Sequence, residues 1–468
     1  MLFALTLNSL RLIARQKISV PLVLLAAAAL PFAGYFMFTG DGTLLGVLRL
    51  MWGWQFYAAA GLLMLVTAYL AVVVLDGELK DYQLLLTLVK PAPRRSVLVA
   101  KFLAVIIFAA GATAVCAGSS YLALRLRARA ADIVALRADN PETARMNSEQ
   151  RRADARAQAL LADRQFFTSR TVAHPLIPDM VEDLYRNINA AKQRGELTDA
   201  DFPTDASIRD IARRITERRQ IPIPYGMGRE FNFVNLPPAR SAVFRYQIDG
   251  SWRGEWGWLK ASWSFAGGGA PLMTTTDFRV SAPQELPLPA DFVIAGGKLN
   301  VTLINQSAPT AETPVAAEMR VPFDGLSLLL PTGGFAANWA RAWGLLWLRL
   351  CLLAAIGVGL SPIIGAPINF LALIAVLAVG VFNSTFYAAN AAPPTSLLET
   401  AQHYFALAVR CLPNFDETSA YEKITDGLAV GWDYLAWQFL RDVVLRGGAI
   451  MTIGYAVFRR REIAVYRG

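Results

Sequence analysis

The chain has 468 residues, 54% of them hydrophobic and only 17% charged, against roughly 25% charged in an ordinary soluble domain. Two histidines and three cysteines argue against a His-rich metal centre and against a disulfide framework. The net charge of +9 comes with no nucleic-acid-binding motif, so nucleic acid is not an expected partner.

From Met1 to Lys17 the chain reads as an amphipathic helix, with Leu2, Phe3, Leu10 and Ile13 set against Asn8, Arg11 and Arg15. Such a helix lies in the headgroup layer of a bilayer; the plainer reading is a basic flank to the first span. The apolar run that follows is too long for a signal-peptide core and has no small-residue cleavage site, so no cleaved signal peptide is expected. Apolar runs near 18–39, 50–75, 97–124, 342–360, 364–389 and 434–458 each approach the roughly 20 residues that cross a bilayer. The expectation is a polytopic α-helical membrane protein with six transmembrane helices. Residues 1–124 hold the interfacial helix and three spans, and 338–468 hold the other three. Between them, 125–337 form a large α+β extracytoplasmic domain.

The segment joining the second and third spans runs Asp76-Gly-Glu78-Leu-Lys80-Asp81 through Pro91 and Pro93 to Arg94-Arg95 and Lys101. Its pattern predicts a short amphipathic helix over about 78–89, stopped by Pro91. A compact charged helix fixed between two spans is suited to transmitting force from a cytoplasmic partner.

In the large domain, residues 125–220 are dominated by Ala, Arg, Leu, Asp and Glu and read as helical. Their Arg runs are solvated faces or, on the sharper reading, sites for an anionic ligand or lipid headgroups. After Pro222 and Pro224 the pattern alternates with period two. Phe244 to Ile248 ends at Asp249-Gly250, Trp263-Ser-Phe265 leads to Gly267-Gly268-Gly269, and Leu299 to Leu303 follows Gly296-Gly297. This predicts a β-sandwich-like part over 221–337. Trp252, Trp256, Trp258 and Trp263 are core or rim residues on the bland reading. On the sharper one, Trp252, Trp256 and Trp258 form a ligand contact that stacks sugars or lipids. Asn300-Val-Thr302 and Asn305-Gln-Ser307 match glycosylation triplets.

Arg349 falls inside the fourth expected span, and Arg441, Asp442 and Arg446 inside the sixth. A charge at the centre of a spanning helix costs at least about 2.5 kcal/mol. Asp442 and Arg446 are four apart and suited to pairing on one helical face. Snorkelling with a local pair is one reading, and a cavity for an anionic or polar substrate is the other.

Short basic segments fix the orientation. Arg11, Arg15 and Lys17, then Lys80, Lys90, Arg94, Arg95 and Lys101, then Arg459, Arg460, Arg461 and Arg467 fall on one side if there are six spans. That side is the cytoplasm, so both termini are expected inside and the large domain outside. Arg125, Arg127 and Arg129 would sit outside, opening a domain too long to obey the rule.

Glu78, the Leu-rich stretch to Leu88, Pro91, Arg94 or Arg95, and Lys101 occur in an order that resembles the membrane permease subunits of ABC exporters of the ABC-2 type. The interfacial helix, the span count and the basic tail Phe458-Arg-Arg-Arg461-Glu462 are similar too. The resemblance covers about 1–124 and 338–468; the insert after the third span departs from it. It implies an ATPase-coupling site at Glu78, Asp81, Arg94, Arg95 and Lys101, and short outer helices around 395–430. It also implies cytoplasmic ABC ATPase subunits and a second permease chain, identical or related, as partners in the inner membrane. This chain has no G-x-x-x-x-G-K-[ST] motif, so ATP and Mg belong to the partner ATPase, and neither an enzymatic role nor a cofactor is expected here. The competing readings are a non-transporting receptor or scaffold whose outer domain binds a ligand or envelope protein, and a membrane enzyme, for which no catalytic constellation is visible.

Overall fold

The computed structural model describes residues 2–16, 19–33, 44–80, 93–129, 156–176 (158 and 161 excepted), 220–237, 242–250, 258–267, 271–308 (282, 290, 291, 293 and 295 excepted), 318–381 (323 excepted) and 420–460, with single positions at 185, 189 and 400. They divide into a helical unit, Met1–Ser169 with Gly333–Gly468, and a second unit, Arg170–Thr332.

In the helical unit, α1 (Leu2–Arg15) turns Thr6, Ser9 and Ile13 inward and leaves Leu2, Phe3 and Leu7 exposed. The expected apolar face is therefore split: Leu10 and Ile13 pack on the bundle and Leu2 and Phe3 do not. α2 (Ser19–Ala33) follows, with a bend of 66° between the two helices. Pro31 lies inside α2 and has no N–H for the Ala27 carbonyl four residues back. Ser119 Oγ donates to that carbonyl instead, and Gln55 Nε2 donates to the Leu30 carbonyl at 3.0 Å.

Among the described residues, three helices are long and apolar enough to cross a membrane: α3 (Leu44–Lys80), α4 (Arg94–Arg129) and α5 (Phe335–Leu360). The α1–α2 pair makes up to four if counted as one bent span. Two of the six expected runs, 18–39 and 364–389, extend beyond the described residues, which carry three to four such spans. α6 (Ala366–Val381) has 16 described residues, about 24 Å at 1.5 Å per residue, and the rest of the expected run lies outside the described residues. The last expected span is a continuous helical run interrupted by charge: α8 (Trp432–Gln438), a π-helical segment (Phe439–Gly447) and α9 (Gly448–Arg460), preceded by α7 (Ala420–Thr425).

Indole N–H groups tie α5 to α4 along one face. Trp339 Nε1 donates to the Ala117 carbonyl and Trp347 Nε1 to the Ile106 carbonyl, both at 3.1 Å. Ser361 ends α5, and Asn369 from α6 donates to the Gly357 carbonyl at 2.8 Å and to Ser361 Oγ at 3.1 Å. The end of α5 thus has internal partners, as apolar surroundings require. At the other end, buried Asn338 donates to the Leu428 carbonyl and accepts from Val430 N–H, each at 2.7 Å. Arg49 Nε and Trp52 Nε1 hold the Thr425 and Tyr421 carbonyls of α7.

Two buried clusters organise the unit. One joins Trp52, Phe56, Trp339 and Trp343 with Phe166, Phe167 and Phe335, the Trp52 and Trp339 rings lying 4.3 Å apart. Arg125 caps it, its guanidinium 4.1 Å from the Phe167 ring centre and 3.6 Å from Asp163, so this arginine is not part of a solvated face. The other cluster gathers Ile13, Leu75, Val97, Leu98 and Phe458. The beginnings of α1–α2 and α4, the end of α3 and the end of α9 therefore meet at one end of the helical unit.

The second unit is antiparallel β. Its sheets have the orders β1-β11-β4-β8, β2-β10-β5 and β3-β9-β6-β7, with β1 Ser169–Ala173, β2 Gln220–Ile223, β3 Gly228–Phe233, β4 Val243–Tyr246, β5 Asp249–Gly250, β6 Trp258–Ala266, β7 Leu272–Arg279, β8 Gln284–Pro287, β9 Leu299–Asn305, β10 Met319–Pro322 and β11 Leu326–Gly333. The two four-stranded sheets face each other across a ring cluster. Phe244 and Tyr246 meet Phe233, Trp263, Phe265 and Phe278 at centroid distances from 4.8 to 6.4 Å. The alternation in β9, with Leu299, Val301 and Leu303 inward, follows the period-two signal. Gly297, at φ +67°, turns the chain into that strand, and its carbonyl accepts from Leu236 N–H at 3.0 Å. The expected helical stretch 125–220 is corrected at 169–173, which is a strand. Ser-Arg-Thr-Val-Ala has the β-branched residues a sheet favours, and Arg170 finds a buried partner there.

Candidate functional site

The expected coupling residues cluster near the end where α1, α3, α4 and α9 meet. α3 runs without a break to Lys80, so Glu78 belongs to its last turn, and the rest of the helix expected over about 78–89 lies outside the described residues. The helix passes through the Asp76-Gly77 pair, and no Pro falls between Asp76 and Lys80 to stop it. Asp81 lies outside the described residues. Pro93 precedes α4, and Ser96 N–H donates to its carbonyl at 2.8 Å. Arg94 reaches across to α9, donating to the carbonyls of Phe458 at 3.0 Å and Arg459 at 2.8 Å. Those carbonyls belong to a helix C-terminus, which leaves acceptors unsatisfied and carries partial negative charge. Arg95, next to it, is exposed. Lys101 is 3% exposed, a lysine buried two turns into α4.

A second candidate lies along the α8–α9 run. Asp442 Oδ1 accepts from Arg446 Nη1 at 2.9 Å and from Arg441 Nε at 3.1 Å. Arg441 Nη2 also donates to Gln438 Oε1 at 2.8 Å. A π-helix repeats its hydrogen bonds at five residues, which brings residues five apart toward one face. Arg441 and Arg446, five apart, thereby share one carboxylate. Gly344 of α5 lies against Leu435, and Gly447 against Ala355 and Leu352. Half-buried Arg349, between Gly344 and Leu352 on α5, therefore sits at the height of the π-helical segment.

In the β unit, Trp258 is 71% exposed and Trp263 is fully buried, with its indole N–H donating to Thr276 Oγ1 at 3.0 Å. Trp252 and Trp256 lie outside the described residues; of the expected contact, Trp258 is placed, exposed on β6 opposite Arg279. Asn305 is buried, donating to the Ile223 carbonyl at 3.0 Å and accepting from Ser307 N–H, which leaves its amide closed to modification. Sequence reasoning missed the Glu285 network. Arg170 on β1 and Arg245 on β4 both grip Glu285 on β8, at 3.1 and 2.8 Å. By itself, burial pushes the Glu285 carboxyl up. The two guanidiniums outweigh it and hold the group below the usual carboxylate range. An Arg-Glu pairing 115 residues apart in sequence has no local signature.

The class defined by these features is a helical protein with, among the described residues, three helices able to cross a membrane, and an antiparallel β unit inserted between α4 and α5. No protein-family model matches the chain, and no curated protein matches it in sequence.

Proposed function

We propose that the chain is the membrane permease subunit of an ATP-driven exporter of the ABC-2 type. It couples hydrolysis by a separate ATPase subunit to export of a substrate or to mechanical work on an extracytoplasmic partner. The observation that carries this reading is the gathering of α1, the end of α3, the start of α4 and the end of α9 at one end of the helical unit. Arg15, Lys80, Arg94, Arg95, Arg459 and Arg460 flank that junction in sequence, as the basic cytoplasmic side of a membrane protein requires. An ATPase docking there contacts the segment between α3 and α4 and reaches α9 through Arg94. On this reading the permease pairs with a second copy or a relative, and the β unit lies outside.

The test is purification in mild detergent with identification of retained proteins and an ATP hydrolysis assay. An ATPase retained by the wild type and lost from Glu78→Ala and Arg95→Ala supports the reading. Arg94→Ala serves as the structural control, because its loss uncaps α9. Recovery of no ATPase under several mild conditions overturns the permease reading and leaves the receptor or scaffold ahead.

A further inference from the structure

Two cations and one anion meet on the π-helical segment, beside apolar side chains that the helical unit does not cover. Phe439, Leu440, Val444 and Leu445 are 44–58% exposed on the same segment as Arg441, Asp442 and Arg446. Across α5 and the 432–460 run, the only acids are Asp433 and Asp442, against Arg341, Arg349, Arg441, Arg446, Arg459 and Arg460. The cluster lies near the middle of the 432–460 run, nine residues from its start and fourteen from its end, where long side chains have furthest to reach toward water. Charge placed there is costly and ordinarily marks a pathway or ligand. π-Helical geometry is rare within helices and is frequent at functional sites.

The geometry points to the Arg441–Asp442–Arg446 cluster as a binding site for the anionic headgroup of an amphiphile. Arg446 and Arg441 hold the acid group, and Leu440, Val444 and Leu445 receive the apolar chain. Asp442 is the internal anion that the ligand displaces: it holds both guanidiniums in place when the site is empty and competes with the ligand when it is filled. This deepens the permease reading in naming a substrate class, and it rests on the helical unit being embedded in a bilayer.

The test uses the full chain in mild-detergent micelles with phosphatidylglycerol carrying a fluorescent acyl label, and phosphatidylcholine with the same label as control. The wild type is expected to prefer the anionic lipid. Arg446→Gln lowers that preference about tenfold, the size of one charge-assisted hydrogen bond. Asp442→Asn raises it severalfold, because a competing anion is gone. A purely structural ion pair gives the opposite pattern, both variants weakening binding together, and that result overturns the inference. So does equal binding of the two lipids by the wild type, or full displacement of the label by water-soluble glycerol 3-phosphate at equal concentration. If Arg446→Gln fails to fold, the direction of Asp442→Asn alone decides. The permease reading is judged by a retained ATPase and this one by lipid preference of the chain alone, so each fails separately.

Discussion

At the scale of single residues, the strongest electrostatic commitment is Glu285. Arg170 is 4% exposed and Glu285 14%, so Glu285→Gln takes a carboxylate away from two guanidiniums, one of them buried. Removing one partner of a buried pair costs about 3–5 kcal/mol, and a marked drop in thermal midpoint, followed by tryptophan fluorescence, is the expected outcome. Because the folded carboxyl titrates below its ordinary value, the stability it contributes is fully present above the unfolded value of about 4.3. That contribution is lost as pH falls through the lower folded value. Wild-type stability should therefore decline on acidification below about pH 4, with a smaller decline in Glu285→Gln. A flat wild-type profile down to pH 3 would count against the network. The Asp442–Arg446 contact was readable in advance because an i, i+4 spacing is local. That Arg441 joins it was not, since a five-residue repeat appears only once the π-helical turn is formed. Among the tryptophans, composition alone does not separate Trp258 from Trp263. The strand phase does: the two are an odd number of residues apart on β6 and point to opposite faces.

At the scale of elements, helices α5 and α9 approach through glycine. A Cβ on Gly454 would collide with the Gly359 carbonyl, and one on Gly359 would lie 2.9 Å from Ile450. Gly357, two residues away, turns toward α3, where a Cβ would meet that of Ala71 at 2.6 Å. Such contacts tolerate no added volume, and overpacking costs about 1–3 kcal/mol. Gly454→Leu should therefore lower the thermal midpoint in detergent, whereas Gly448→Ala, with open space around it, should leave it unchanged. Equal stability of the two variants would show that α5 and α9 do not pack closely. Apolar length made α3, α4 and α5 legible in the sequence, since each is apolar nearly all round. Their ends were less legible. α3 runs 37 residues, about 55 Å, passing through the Asp76-Gly pair, although the change to charged residues there suggested a new element. Strand β1 escaped notice for a different reason: its five residues sit next to an Arg- and Ala-rich helical pattern, and its partner β11 lies more than 150 residues further on.

At the scale of the whole molecule, the chain enters the β unit after α4 and leaves it into α5, so the helical unit is assembled from both ends of the sequence. The orientation proposed from charge is open to a direct check. In a background lacking the three native cysteines, Thr275→Cys on β7 should react with a membrane-impermeant maleimide added to intact cells. Arg460→Cys should react only after the cells are opened. Reversal of that pattern would invert the topology, and labelling of both positions in intact cells would put an even number of crossings between them and overturn the cytoplasmic carboxyl end. What composition conveyed was the division into an apolar part and a polar insert. The junction that joins both termini-proximal helices is a property of tertiary packing, assembled from Ile13, Leu75, Val97 and Phe458, residues that look interchangeable with any other aliphatic or aromatic side chain.

The last turn of a helix ordinarily frays, opening and closing independently of the rest of the fold. The last turn of α9 is denied that freedom by the Arg94 guanidinium, which sits on its terminal carbonyls while belonging to the first turn of α4. The two turns then open together or not at all. Amide hydrogens at 456–460 should exchange with solvent deuterium at a rate tied to those at 97–101, and in Arg94→Ala the α9 amides alone should exchange faster. A partner that grips the α3–α4 segment would slow exchange in a helix it never touches, so protection at 456–460 would report docking from a distance.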